Sequence, residues 1–181
     1  MIETERLVLR PPRPADIPAL IRYYKENAEH LVPWEPAWPE RFLTERFWQS
    51  QLAHQEEQAR AGAALRLIVF KREARRKVVG SINFTAIQRG AFQGCVLGYS
   101  LAEAEQGKGY MTEALRAAID HVFRELQLHR VMANYIPRNA RSGRLLGRLG
   151  FVIEGYARDY LLVNGRWEDH ILTSLINPEP V

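Results

Sequence analysis

The 181-residue sequence contains one cysteine, Cys95, so an internal disulfide is excluded. It has no apolar run approaching the roughly 20 residues that a membrane-spanning helix requires. No Gly-Lys-Ser/Thr follows a four-residue gap after a glycine, which excludes a P-loop, and the three spaced glycines of a dinucleotide fingerprint are missing. Internal repeats, low-complexity tracts and linkers are absent as well, so one globular domain over residues 1–181 is expected. No signal-peptide core follows Met1-Ile2-Glu3-Thr4-Glu5-Arg6. The expectation is a cytoplasmic protein with no metal site, no membrane association and no DNA partner. Cys95 lies in an apolar strand and reads as a small buried hydrophobe rather than a nucleophile.

Charge of neither sign dominates. Lysine and arginine number 25 against 21 aspartates and glutamates, a net charge of +4, and arginine far outnumbers lysine. So small an excess does not establish nucleic-acid binding, but it suits an anionic cofactor or a ribosomal setting. The basic run Lys71-Arg72-Glu73-Ala74-Arg75-Arg76-Lys77 reads as a solvated hairpin turn.

What the chain does have is a glycine turn at a telling place. Gln106-Gly107-Lys108-Gly109-Tyr110-Met111 stands between the strand-like Cys95–Leu101 and a helical pattern of Met111, Leu115, Ala118, Ile119, Val122, Phe123 and Leu126. Glycines allow a sharp turn, and the helix that follows offers unpaired N–H groups and the positive end of its dipole. That combination suits an anion, most naturally a pyrophosphate, although a tight connection alone would look the same.

Around this turn the pattern predicts a strand at 6–10, a helix from Pro14 to about Glu29, and a proline-rich loop from Leu31 to Pro39. A second helix follows from about Glu40 to Ala61, with strands at 64–71, 77–87 and 94–101. After the glycine turn and its helix come a strand at 130–136, a helix at 139–149 capped by Asn139 and ended by Gly150, and a strand at 151–155. Asn164-Gly165 turns a final hairpin. This order implies an α/β (α+β mixed) fold with an antiparallel front half and a parallel strand–helix–strand unit over 94–136.

Three motifs in this order resemble the GNAT superfamily of acyl-CoA-dependent N-acyltransferases. The first is the turn Gln106, Gly107-Lys108, Gly109, Tyr110, Met111, in which Met111 replaces the family's small residue. The second is Asn139-Ala140-Arg141-Ser142, similar to an Asn-x-x-Ser motif. The third is the helix-to-strand junction Arg148-Leu149-Gly150-Phe151. Long segments also resemble the Rim-type ribosomal-protein alanine N-acetyltransferases: Leu31–Pro36, Leu97–Ser100, His129–Tyr135 and Glu154–Leu162.

The resemblance implies a twisted mixed sheet, splayed at its middle, with helices on both faces. It implies acetyl-CoA as cosubstrate. Cofactor contacts are expected from Ser100, Leu101, Gln106, Gly107, Lys108, Gly109, Tyr110, Met111, Thr112, Asn139, Arg141 and Ser142, with the Met111 side chain turned away from the pyrophosphate. The acceptor implied is the N-terminal amine of a ribosomal protein, with possible ribosome association. An α-amine has a pKa of about 7.7–8.0 against about 10.4 for lysine, so it demands less of a base. The glutamate and tyrosine that serve some relatives as base and acid correspond here to Asn134 and Leu146, so those roles do not transfer. Ser142 and Tyr135 are candidate proton donors to the thiolate. Glu35, Glu103 and Asp159 are candidate bases, with Glu35 in a loop suited to walling an acceptor cleft. His129 and His170 read as structural, and Trp34 and Trp38 as lining for a peptide groove or as core. Acetylation of a small amine, and a non-enzymatic CoA- or RNA-binding role, remain open at this level.

Overall fold

The computed structural model describes residues 1–179, and its strands form one eight-stranded sheet in the order β1-β2-β3-β4-β5-β6-β8-β7. The strands are β1 (Ile2–Glu3), β2 (Leu7–Arg10), β3 (Leu65–Lys71), β4 (Ala74–Gln88), β5 (Gly94–Leu101), β6 (Arg130–Met132), β7 (Val152–Val163) and β8 (Arg166–Ile176). Neighbours from β1 to β5 are antiparallel, β5 and β6 are parallel, and β8 is antiparallel to both β6 and β7. The mixed sheet and the antiparallel front half are therefore as expected.

The helices are α1 (Ile17–Glu26), α2 (Ala28–Leu31), α3 (Glu45–Arg60), α4 (Tyr110–Arg124) and α5 (Ala140–Arg148). They cover both faces of the sheet, because alternate residues of each strand feed two separate cores. Leu67 and Val69 of β3 pack with Leu115, Ala118 and Val122 of α4 and Leu146 of α5. Ile68 and Phe70, one residue out of phase, pack with Leu20 and Tyr23 of α1 and Trp48 and Leu52 of α3. Cys95 is fully buried in the first core, and burial pushes its thiol up to about 12, in keeping with a packing role.

Several boundaries differ from the sequence reading, each for a local reason. The helix expected to run to Glu29 breaks at Asn27. There the side-chain Nδ2 donates to the Tyr23 carbonyl (2.8 Å) and Oδ1 accepts from the Glu103 N–H (2.9 Å), so the residue satisfies backbone groups a continuous helix would not. α3 begins at Glu45 rather than Glu40 because Thr44 caps it, accepting from the Phe47 N–H. The strand expected at 151–155 and the one leading into the Asn164-Gly165 turn are a single strand, β7, interrupted by a bulge. The strand expected over 130–136 is regular only to Met132, with a lone bridge from Tyr135 to Ile171. Arg72 and Arg75, in the basic β3–β4 hairpin, are engaged by Glu3.

One ion pair anchors the entry to α1. Arg10 grips Asp16 with both terminal nitrogens (2.7 and 2.8 Å), and Asp16 also accepts from the Arg13 N–H (2.7 Å). Burial pushes the Asp16 carboxyl up, but Arg10 and the Arg13 amide outweigh it and hold it below its ordinary value. A depressed carboxylate pKa stabilises the fold above the unfolded pKa of about 3.9 and ceases to do so as pH falls through the folded value. Asp16→Asn is expected to cost about 2 kcal/mol in urea unfolding at pH 7. The difference from wild type should shrink as the pH is lowered below about 4.

Candidate active site

β5 and β6 are hydrogen-bonded over only three pairs, Gly94 to Arg130, Cys95 to Val131 and Val96 to Met132. Beyond them β5 stays with β4, pairing Leu97 to Phe84 through to Leu101 with Gly80. The chain after β6 instead follows β8: the Ala133 N–H donates to Thr173 (3.0 Å), the Tyr135 N–H to Ile171 (3.1 Å), and the Ile171 N–H back to Tyr135 (2.9 Å). The two arms diverge into a wedge, and among the described residues the edge of β5 from Leu97 to Leu101 has no strand partner on that side. Such an edge can bond an extended ligand through its main chain.

The glycine turn lies at the end of the β5 arm, after a 3-10 turn at Glu103–Glu105. Gly107 and Gly109 hold φ values of +75° and +80°, where a side chain is strained, and Gly109 is the N-cap of α4. The first-turn amides of Tyr110, Met111 and Thr112 have no intrahelical acceptor. With the helix dipole they make a site for an anion. Met111 is only 6% exposed and belongs to the core, so it can meet a ligand through its amide alone, as the substitution at this position requires. The Lys108 ammonium does not point outward to a ligand. It folds back on the Ala104 carbonyl (2.6 Å) and on Glu105 (2.9 Å), which Lys71 also approaches (3.2 Å). Arg6 donates to the Lys108 carbonyl and to Glu113 and covers the Tyr110 ring, so it braces the turn from outside. No pattern local to residues 6–10 points to this role of Arg6, because its partners lie about a hundred residues away. Gln106 is bonded to His30 (2.7 Å).

The candidate side chains divide between the two faces of the sheet. On the α4/α5 face, Asn139 caps α5 by accepting from the Ser142 N–H (3.1 Å), and the Ser142 hydroxyl is 2.6 Å from the phenol of Tyr99. The Tyr135 ring lies against Gly143, where a Cβ would come within 2.8 Å of it. Ser142 and Tyr135 are thus brought together, and Tyr99 joins them. Burial pushes Tyr99 up to about 12, the Ser142 bond opposing the shift. Tyr99 was missed from sequence because its partner is 43 residues away. Arg141 is exposed at the start of α5.

On the opposite face, Ser100 accepts from the buried Tyr23 (3.0 Å) and meets Ser81 (2.9 Å). Glu35 belongs to this face through its bond to Trp38, whose ring packs on Tyr24. Its charge bears on both Tyr23 and Tyr24, whose phenols are raised chiefly by burial. Trp38 sits in an aromatic cluster with Tyr24 and Phe42 and donates from Nε1 to Glu35 (2.8 Å), while the Glu35 carbonyl accepts from the Asn164 N–H of the last hairpin (3.0 Å). Burial raises the Glu35 carboxyl above its ordinary value, and the Trp38 bond only partly offsets this. Trp34 is more exposed, with Arg138 over its ring. Of the other candidate bases, Glu103 is exposed, and Asp159 lies in the β7 bulge with its N–H on Asp169 (2.8 Å). His170 is buried, its Nδ1 bonded to the Glu168 carbonyl. A groove of about 400 Å³ between α3 and Pro11–Pro14 shares no residue with the wedge.

A sheet split between parallel strands, with a glycine turn and helix N-terminus at its mouth, defines an acyl-CoA-dependent acyltransferase architecture. The acetyltransferase (GNAT) domain model matches residues 6–152, and the chain belongs to that family. It is 45% identical over 178 residues to the [ribosomal protein uS5]-alanine N-acetyltransferase of Escherichia coli K12, covering 98% of this chain and 91% of that protein. The structure matches ribosomal-protein-S5-alanine acetyltransferase from Vibrio fischeri with a TM-score of 0.92 at 40% identity, over 98% of this chain and 96% of the other. It matches Mycobacterium smegmatis RimJ in complex with CoA-disulfide with a TM-score of 0.88 at 32% identity, over 96% and 84% of the two chains. The protein is an N-acetyltransferase.

Gly143→Ala is expected to displace the Tyr135 ring and destabilise the fold by about 1–3 kcal/mol, as overpacking does. Chemical denaturation, with the Tyr135 ring signals followed by NMR, checks both effects. Unchanged ring signals would mean that Tyr135 does not depend on this glycine.

Proposed function

We propose that residues 1–181 act as one acetyltransferase domain that moves acetyl from acetyl-CoA to the N-terminal α-amine of a ribosomal protein. The acceptor we assign is an N-terminal alanine of uS5, and the setting the cytoplasm. The wedge beside β5 is the observation that carries acetyl transfer. The acceptor rests on the full-length identity to enzymes named for that protein.

The residues present fit acetyl-CoA. The amides of Gly107, Lys108, Gly109, Tyr110, Met111 and Thr112, after Gln106, would hold its pyrophosphate, and Asn139 and Arg141 would meet the rest of the cofactor from α5. The free edge of β5 would receive its extended arm. Bound there, acetyl-CoA supplies a thioester carbonyl open to attack by an amine. The Leu101 amide, which points away from β4 on that free edge, polarises that carbonyl, since a donor fixed in advance stabilises charge as it develops. Glu35 removes the amine proton, directly or through a water. Its raised pKa matches it to this task better than an ordinary carboxylate. Ser142, held by Tyr99 and close to Tyr135, donates a proton toward the departing sulfur from the opposite face. The two faces thus separate proton removal from proton delivery.

The direct test is a mass shift. The protein is incubated with acetyl-CoA and peptides beginning with alanine, serine or methionine, alongside polyamines and an aminoglycoside. Gain of one acetyl at the alanine α-amine is expected, whereas transfer to the small amines alone would remove the ribosomal-protein acceptor. Glu35 works ionised, so kcat/KM should rise with pH through a pKa above the usual glutamate value of about 4.3. Glu35→Gln should lower kcat at least about 100-fold and abolish that limb, leaving only the titration of the substrate amine near its own pKa of about 7.7–8.0. A second limb retained below that of the amine would assign the base elsewhere.

A further inference from the structure

Tyr160 is placed by an irregularity in β7 that the proposed mechanism does not use. Ala157 and Leu161 lie four positions apart on β7, but their β8 partners, His170 and Glu168, lie two apart, so β7 carries two extra residues here. Asp159 within the bulge has a left-handed φ of +45°, and Asp169 holds it in place, accepting from the Asp159 N–H and from the Tyr156 phenol. Bulges of this kind re-aim side chains beside functional sites. The side chain re-aimed is Tyr160, which lies against the His170 ring (5.3 Å between centroids) and is 39% exposed.

The hydrogen bonds around Tyr160 determine where its proton goes. The Thr173 N–H can only donate, and it donates to Asn134 Oδ1 (3.3 Å). The Asn134 amide nitrogen therefore faces Tyr160 and donates to its phenolic oxygen (3.2 Å). The Tyr160 O–H must point elsewhere, and no acceptor for it is found among the described residues. A glutamate at position 134 would reverse this arrangement by accepting the phenol proton; asparagine leaves the proton free.

This free donor is held by Asn134, which stands on one arm of the wedge. Ala133 and Tyr135 pack into the α4/α5 core, so Asn134 between them projects to the other face, where Ser100 and Glu35 also lie. A phenol proton there does not suit the attacking amine, whose lone pair must stay free. In an acceptor peptide the nearest other hydrogen-bond acceptor is the carbonyl of the first residue, one carbon beyond the amine-bearing carbon. Polyamines carry no such group.

We propose that Tyr160, oriented by Asn134, donates a hydrogen bond to the first carbonyl oxygen of the acceptor chain, making it a determinant of specificity for peptide N-termini over bare amines. This rests on the acetyl-transfer reading above. The test is a cycle of two changes: Tyr160→Phe in the enzyme, and an alanine-initiated peptide whose first amide is replaced by a trans-alkene, which keeps the shape and lacks the oxygen. Phenylalanine retains the ring against His170. Wild-type kcat/KM should fall about tenfold from the peptide to the alkene, the effect of one hydrogen bond. Tyr160→Phe should lose about the same factor on the peptide, mainly through KM, and nothing further on the alkene. Full activity of the variant on the peptide, or an equal loss on both substrates, overturns the inference. Wild-type enzyme that acetylates peptide and alkene equally well overturns this inference alone. Wild-type enzyme that acetylates neither overturns the proposed acceptor class and this inference with it.

Discussion

The competition for hydrogen bonds at β6 governs the rest of the molecule. A strand between two neighbours normally pairs with both along its length. Here β6 is shared for three residues, after which the chain from Ala133 to Tyr135 bonds to β8 and leaves β5 to β4. An open sheet edge in the middle of a fold is costly unless something satisfies it. In the proposed reading that something is the cosubstrate, and the absence of a strand partner along 97–101 becomes the binding site itself.

The divergence also explains the distribution of the chemistry. Alternation along each arm sends Tyr99 and Tyr135 to one face and Ser100 and Asn134 to the other. The α4/α5 face gathers Tyr99, Ser142 and Tyr135. The α1/α3 face gathers Tyr23, Tyr24, Ser81 and Ser100 beneath the Glu35 loop, a loop held by Trp38 within an aromatic cluster and by Asn164 of the hairpin. Two polar groups at opposite mouths of one wedge suit a reaction in which one side loses a proton and the other gains one.

The supports are built to keep the wedge open. Asn27 ties α1 to the turn at Glu103. Arg6 ties β2 to the glycine turn through the Lys108 carbonyl and Glu113. Gly143 lets the Tyr135 ring approach α5. The first two connect elements far apart in the chain to one arm of the wedge or to its mouth. The GNAT domain model covers residues 6–152, whereas Tyr160, Asn164 and Asp169, which the proposed reading sets beside the acceptor, lie in the hairpin after it.

Patterns local in sequence determined much of this protein. The glycine turn before an amphipathic helix, the Asn139 cap, the Asn164-Gly165 hairpin and the apolar strand segments that became β3 and β5 are all short-range signals, and each was legible because backbone conformation there depends on adjacent residues. The tertiary structure alone decided that β6 stops pairing with β5 at Met132, that α1 breaks at Asn27, and that Tyr99 meets Ser142 and Asn134 meets Tyr160. Those outcomes depend on partners tens of residues away, such as Thr173 for Ala133 and Glu103 for Asn27. No pattern within one segment encodes which distant group will win a hydrogen bond that two neighbours could each have supplied.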